Sequence, residues 1–337
     1  MTKKILVTDY AWPSLDIERR LLAEVGAELL VAETGEEAEL VGLAPQAAGV
    51  LTNWKRVTPA VLEAAPDCRI VSRYGVGVDN IAVAHATTLG IPVTNVPDYC
   101  FEEVSDHAMA LLLACARKVV KFANSTRAGQ WDVKLGRPLP RLREQTLGIV
   151  GYGYIGRALA PKAAGFGLRV LVYSPRATPE SVLPHEWTND LQRLLRESDY
   201  VSLHVPLTEA TRGMINHDTL RQMKPTAFLI NTSRGPVIDE AALAEAVRAN
   251  VIAGAALDVL SQEPGDPAHP LFGLENVIIT PHAAFYSESA IEELQHKAAG
   301  RVVQALKGEQ PSNIINPEVV GRENYRLKDR PANGIRA

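Results

Sequence analysis

What the chain is short of already narrows its role. It has three cysteines, Cys68, Cys100 and Cys115, an odd number with no CxxC pair, which excludes a disulfide framework and a cysteine zinc site. The other histidines, at 85, 107, 185, 217, 269 and 296, show no HExxH or similar spacing, so no metal is expected. Long hydrophobic runs are missing too. The longest, Ala108 to Ala116, has nine residues, whereas a membrane span needs about twenty. Only three apolar residues precede Thr8 and Asp9, too few for a signal-peptide core. The expectation is a cytoplasmic protein with no membrane partner. No charge sign dominates: 35 Lys+Arg against 39 Asp+Glu give a net charge of −4, so nucleic acid is not expected as a partner.

What is present is ordinary globular composition, 46% hydrophobic and 22% charged. The length suits two domains of about 150 residues. Short β-branched runs alternate with Ala/Leu/Glu-rich stretches at helical spacing, the pattern of βαβ units around parallel sheets. One set of candidate strands is Lys4–Tyr10, Ala27–Glu33, Ala48–Asn53, Cys68–Gly75 and Ile91–Pro97. A second set is Thr146–Gly153, Arg169–Pro175, Tyr200–Pro206, Ala227–Gly235, Ala255–Val259 and Val277–His282. Two sets predict two doubly wound α/β domains, with the boundary near a long helix expected over Phe101–Phe122. Ala128–Gln145 reads as a connecting loop and Ser287–Leu306 as the last helix. The tail from Val319 lacks apolar periodicity and is expected to fray.

The segment TLGIVGYGYIGRALA puts Gly151, Gly153 and Gly156 directly after an apolar strand and before an amphipathic helix. Gly151 permits the tight turn, Gly153 lets a pyrophosphate approach the backbone, and Gly156 lets helix pack on strand. The first helical N–H groups and the positive dipole end then hold the phosphates. A glycine triplet alone is weak evidence, but here the strand–turn–helix context is also met. The next strand ends in Ser174, Pro175 and Arg176, where an acidic residue would accept the adenosine ribose hydroxyls of NAD. Without that carboxylate, and with Arg176 able to pair with a 2′-phosphate, NADP(H) is favoured over NAD(H). The alternative is that Arg176 is a solvated loop residue and either cofactor serves.

Three ionisable residues fall at the ends of second-set segments, where open α/β sheets gather ligands: Arg234 in INTSRG, Glu263 in DVLSQEP and His282 in TPHAA. Reducing a 2-oxo acid needs a hydride, a proton for the carbonyl oxygen and a cation for the carboxylate. A histidine backed by a carboxylate can supply the proton, and arginine's planar fork suits a carboxylate. By spacing alone each also has a structural reading: a packed histidine, a solvated glutamate, an arginine that binds phosphate.

Together, GYGYIG, INTSRGPVIDE, ALDVLSQEP and TPHAAFYSE resemble the D-isomer-specific 2-hydroxyacid dehydrogenases over residues 1 to about 316. RYGVGVDNI, VPDYCFEEVSDHAMALLLA and PHAAFYSE most resemble the C-terminal-binding-protein-like branch. The resemblance implies a flavodoxin-like substrate domain over 1–100, completed by 288–318, and a Rossmann cofactor domain over 101–287, with a cleft between them. It leaves 319–337 as a flexible tail. It makes Arg234 the substrate-binding arginine, Glu263 the residue that orients the histidine, and His282 the acid/base. It also implies that Tyr74, Gly75, Val76 and Gly77 meet the substrate, with Phe285 lining its side-chain pocket; Trp54 and Lys55 are further pocket candidates. Tyr154, Ile155, Val205, Pro206, Thr211, Thr232, Ser233, Asp258 and Ala284 join the cofactor set, Asp258 near the nicotinamide amide; His204, following the strand into LHVPLT, is placed near the cofactor as well, with a packing role equally open. Family members are typically homodimers, and Trp131 matches a position at or near the partner subunit.

The expected function is reduction of small 2-oxo acids such as glyoxylate or hydroxypyruvate, reversible as a D-2-hydroxyacid dehydrogenase. A 3-phosphoglycerate dehydrogenase is the nearest competitor, although 337 residues leave no room for an added regulatory domain. An NAD(H)-sensing, corepressor-like protein is the alternative from another class; the intact Arg, Glu and His favour an enzyme.

Overall fold

The computed structural model describes residues 2–327. The chain divides into two units, Met1–Tyr99 with Ser287–Ala337, and Cys100–Tyr286. The first unit is a five-stranded parallel sheet of β1 (Lys3–Val7), β2 (Ala27–Val31), β3 (Ala47–Thr52), β4 (Val71–Arg73) and β5 (Val93–Thr94), ordered β2-β1-β3-β4-β5. Its core gathers Leu6, Val50, Val71 and Val93 with Leu40, Val61 and Leu62 from the crossover helices. The helices Asp16–Ala23 and Glu288–Lys307 pack together in this unit. Between them a carboxylate is fully buried: Glu18 accepts from the Tyr74 hydroxyl and the Gln295 amide, each at 2.9 Å. Burial pushes the Glu18 pKa up, opposed by these hydrogen bonds.

The second unit is a seven-stranded sheet of β6 (Thr146–Val150), β7 (Arg169–Tyr173), β8 (Glu186–Thr188), β9 (Tyr200–Leu203), β10 (Phe228–Asn231), β11 (Gly254–Leu257) and β12 (Val277–Ile279). The order is β12-β11-β10-β9-β6-β7-β8, all parallel. Helices cover both faces, so the central strands β6, β9, β10 and β11 are buried at every residue. The strand order reverses between β6 and β9, the place where open α/β sheets bind ligands.

The strands stop earlier than the apolar runs suggest. β6, β10 and β12 end at Val150, Asn231 and Ile279, leaving Gly151, Thr232–Arg234 and Thr280–His282 in loops at the carboxyl ends. The long helix expected over Phe101–Phe122 is two helices, Phe101–Ala116 and Val119–Arg127. They break at Lys118, which takes a left-handed φ of 55° and sets its ammonium 4.4 Å from the centre of the Phe228 ring. β8 was not expected from the sequence. The tail is anchored as far as it is described, which corrects the expectation of fraying for 319–327. Val319, Tyr325 and Leu327 are buried, and Arg326 donates to the carbonyls of Ala65, Pro66, Cys68 and Leu89. The remainder, 328–337, lies outside the described residues. Among the described residues no helix is long and apolar enough to cross a membrane.

Candidate active site

The glycine turn leaves β6 at the reversal of strand order. Gly151 has φ +97°, and a Cβ there would sit 2.4 Å from the His204 carbonyl oxygen. A Cβ on Gly156 would lie 2.3 Å from the Gly151 carbonyl, so both positions need glycine for close packing. Gly153 is different: a Cβ would meet nothing within 4 Å, and the residue caps the helix Tyr154–Gly165. Open space over a helix N-terminus fits a pyrophosphate.

Around this turn, His204 Nε2 bonds Ser202 Oγ at 2.9 Å, while His204 Nδ1 and Thr232 Oγ1 are buried with no partner among the described residues. Burial pushes the His204 pKa down to about 4, so its ring is neutral. Two orphaned polar atoms at the carboxyl ends of β9 and β10 fit a dinucleotide that brings its own donors and acceptors. Tyr154 is exposed, Ile155, Val205 and Thr211 are partly so, and Pro206 is exposed. The Thr211 hydroxyl closes its own turn, accepting from Thr208 N at 2.8 Å and donating to the Pro206 carbonyl at 2.6 Å. Ser174 is buried at the end of β7, and Pro175 and Arg176 are exposed. Arg176 makes no ion pair among the described residues.

The three ionisable loops of this unit carry a proton site. His282 Nδ1 lies 2.6 Å from Glu263 Oε2. Burial would raise the Glu263 pKa, but the hydrogen bond and charge of His282, the Leu260 N–H and the Arg234 charge outweigh it, leaving the pKa lowered. An ionised carboxylate only accepts, so Nδ1 carries the hydrogen and Nε2 is left for other work. No group among the described residues bonds that Nε2. The Arg234 loop is set by Asn231, whose amide donates to the Arg234 carbonyl at 2.9 Å and whose Oδ1 accepts from the Ser233 N–H and hydroxyl.

His282 itself has φ +53°, a costly conformation for a non-glycine residue. Asp258 holds it there. The Asp258 carbonyl accepts from His282 N at 2.8 Å, and its buried carboxylate accepts from the Ala283 and Ala284 N–H groups at 2.9 Å each. Thr280 Oγ1 donates to the same carboxylate at 2.5 Å and lies 3.0 Å from His107 Nε2. The Asp258 side chain is thus committed to the loop that carries His282. Phe285 stands edge-on to the His282 ring, centroids 6.1 Å apart.

In the first unit, the loop after β4 turns at Gly75, φ +135°, where a Cβ would fall 1.4 Å from Arg73 Nη1. The Val76 carbonyl accepts from Asn95 Nδ2 at 2.6 Å, and no described residue accepts from the Val76 or Gly77 N–H. Tyr74 is a correction. Its ring is 1% exposed, edge-on to Trp12 at 4.7 Å, with its hydroxyl on Glu18. It is a core residue of this unit rather than a pocket wall. The Lys55 ammonium is likewise engaged, at 2.8 Å from Glu36, and Trp54 is exposed.

The model of the D-isomer specific 2-hydroxyacid dehydrogenase NAD binding domain matches residues 109–284. A glyoxylate reductase of Korarchaeum cryptofilum is 48% identical over 266 residues, 77% of this chain and 80% of that one. The chain belongs to the D-isomer-specific 2-hydroxyacid dehydrogenase family. A glyoxylate reductase of Thermofilum pendens is 41% identical over 287 residues, covering 83% of this dehydrogenase and 82% of that protein. A solved NADPH-dependent glyoxylate/hydroxypyruvate reductase of Sinorhizobium meliloti, in complex with NADP and malonate, superposes with a TM-score of 0.84 at 28% identity, covering 98% of this chain and all of that one (100%). These matches show the family, not the narrower C-terminal-binding-protein-like branch. The dehydrogenase is therefore an NAD(P)-dependent oxidoreductase with the two-domain α/β fold expected.

Several residues that shape this dehydrogenase's site were not singled out in the sequence: Asn231, His107, Glu240 and His269. Glu240 Oε1 accepts from Ser261 N at 2.6 Å, and Oε2 lies 3.1 Å from His269 Nε2. Asn231 had a signal, as the last residue of an apolar strand before the glycine-containing SRG. The others are defined by partners 21 to 173 positions away, which no local pattern carries.

Proposed function

We propose that the protein reduces small 2-oxo acids of the glyoxylate and hydroxypyruvate class, with His282 as the acid, Glu263 as its orienting carboxylate and Arg234 as the cation for the substrate. The observation that carries the reading is the 2.6 Å His282–Glu263 bond. An ionised Glu263 takes the Nδ1 hydrogen and fixes the ring, leaving Nε2 as the position for the proton that is given up. The glyoxylate reductases among its relatives support the substrate class. The reduced nicotinamide, when bound, supplies the hydride. His282 gives the Nε2 proton to the carbonyl oxygen, and the Arg234 guanidinium offers a planar pair of donors to the carboxylate. In the first unit, the unclaimed Val76 and Gly77 N–H groups are proposed as carboxylate donors. On the cofactor unit, Gly151, Gly153 and Gly156 are assigned to the pyrophosphate turn.

NADP(H) is the proposed preferred cofactor. No acid stands at 174–176 to repel a 2′-phosphate, and Arg176 has no ion-pair partner among the described residues. The Sinorhizobium meliloti reductase was solved with NADP. A homodimer is proposed as well, because Trp131 is 90% exposed, an unusual position for an indole unless something covers it. The buried thiols of Cys68 and Cys115 form no disulfide, which suits a reducing cytoplasm.

The test is loss of reduced-cofactor absorbance with NADPH and NADH against glyoxylate, hydroxypyruvate, pyruvate and longer 2-oxo acids. Turnover of the smaller acids, faster with NADPH, is expected. Confirmed cofactor binding without turnover of any acid would move the nucleotide-sensor reading ahead. Ser174→Asp should weaken NADPH use and improve NADH use, and an unchanged cofactor ratio would remove this loop from phosphate recognition.

A further inference from the structure

Glu263 acts only if its loop is held, and the loop has a second histidine–glutamate pair built into it. The chain from Leu260 to His269 leaves the sheet and returns without a strand or helix of its own. It is seated at one end on Gly235, where a Cβ would fall 2.0 Å from the Leu260 carbonyl carbon. Glu240, the first residue of the helix Glu240–Arg248, then grips it twice. One oxygen takes the Ser261 N–H at 2.6 Å, and the other lies 3.1 Å from His269 Nε2. Both side chains are mostly buried, Glu240 at 13% exposure and His269 at 22%. The Leu271 N–H donates to His269 Nδ1 at 3.4 Å, so the ring hydrogen sits on Nε2 and points at Glu240. Within the bracketed segment, Leu260 N donates to Glu263 Oε1 at 2.9 Å, which leaves Oε2 for His282.

We propose that Glu240 and His269 are positioning residues that clamp the 260–269 loop and thereby set Glu263 against His282. The proposal rests on the reading of His282 as the acid. A carboxylate at a helix N-terminus is held by the dipole and by a rigid element, so the clamp transmits the helix position to the loop. The charged groups facing His269 are Glu240 and Asp266, with Arg248 nearby donating to the Pro270 carbonyl. Those facing His282 are Glu263, Arg234 through Glu263, and Asp258.

The test is Glu240→Ala, Glu240→Gln and His269→Gln, read in two ways. First, proton NMR of the cofactor-free protein follows the His282 Nδ1–H that Glu263 accepts, identified by its loss in His282→Ala. This low-field resonance should move upfield and broaden in Glu240→Ala, because the short bond loses its fixed carboxylate, and should recover toward wild type in Glu240→Gln, which can still accept from Ser261. Second, turnover should drop about tenfold in Glu240→Ala, a part of the ~10²–10⁴-fold supplied by a positioned acid. Cofactor affinity should be unchanged. In a Glu263→Gln background the same change should cost nothing further. An unmoved His282 Nδ1–H resonance, or a turnover loss that adds in full to that of Glu263→Gln, would overturn the clamp. If Glu240→Ala does not fold, His269→Gln carries the same two readouts with smaller shifts. Since the resonance needs no turnover, a protein inactive on every acid yet showing the shifted Nδ1–H signal would keep the clamp and discard the substrate class.

Discussion

The pairs His282–Glu263 and His269–Glu240 meet in one loop and use the same two side chains, yet they are wired differently. At His269 both ring nitrogens are engaged, Nε2 by Glu240 and Nδ1 by the Leu271 N–H. At His282 only Nδ1 is taken, at 2.6 Å, and the ring sits on a left-handed backbone that Asp258 holds from three N–H groups. A histidine satisfied at both nitrogens is a fastener. One satisfied at a single nitrogen, by a carboxylate that stays ionised, keeps a proton available at the other. The difference lies in which groups remain unmet rather than in the residue types, so either pair would look alike in a sequence.

The comparison is broken most sharply by removing each imidazole. His282→Ala should lower turnover by about 10²–10⁴-fold with cofactor affinity nearly intact, whereas His269→Ala should cost far less. Steady-state rates beside fluorescence titration of the cofactor check it, and similar losses in the two variants would erase the distinction. Next in size, Glu263→Gln should cost about 10- to 100-fold, the scale of losing a group that orients a histidine. The Glu263 carboxyl, held below its ordinary value of 4.5, contributes stability that is full above that pH and lost as pH falls through the lowered value. Glu263→Gln should therefore flatten the acid arm of the stability curve.

These contrasts were partly legible beforehand. Gly151, Gly153 and Gly156 were readable because their context is local: a strand before, a helix after, and at Gly151 and Gly156 a backbone with no room for a side chain. Arg234, Glu263 and His282 stood at the ends of apolar runs, where parallel sheets deliver side chains to ligands. The two-unit α/β fold followed from the same alternation. Residues whose roles depend on distant partners were not readable. Tyr74 beside a glycine loop looks like a pocket wall until Glu18, 56 positions away, draws its hydroxyl inward. Lys118 sits in an apolar helical run that continues past it, and the break there accompanies its packing over Phe228.

A smaller effect sharpens the comparison from the holding side. Asp258→Asn puts a donor where the Ala283 and Ala284 N–H groups need an acceptor, and should destabilise the fold by about 1–3 kcal/mol. Urea melts check the size, and an unchanged midpoint would mean the left-handed His282 needs no carboxylate. The smallest effect lies in the other unit. The exposed Glu39 carboxylate takes the Thr34 hydroxyl and the N–H groups of Glu33, Thr34 and Gly35, which lowers its pKa to about 2. Its contribution is present above about pH 4.5 and lost as pH falls toward 2. Thermal melts of Glu39→Gln against pH should differ from wild type only above that window, while turnover at neutral pH stays the same.

The most direct measurement is the rate of NADPH oxidation with glyoxylate by the wild-type protein and by His282→Ala at equal cofactor occupancy. The account predicts ready turnover by the first and a loss of at least about 10²-fold in the second. Equal rates would contradict the assignment of His282 as the proton donor, and with it the reading of the His282–Glu263 pair.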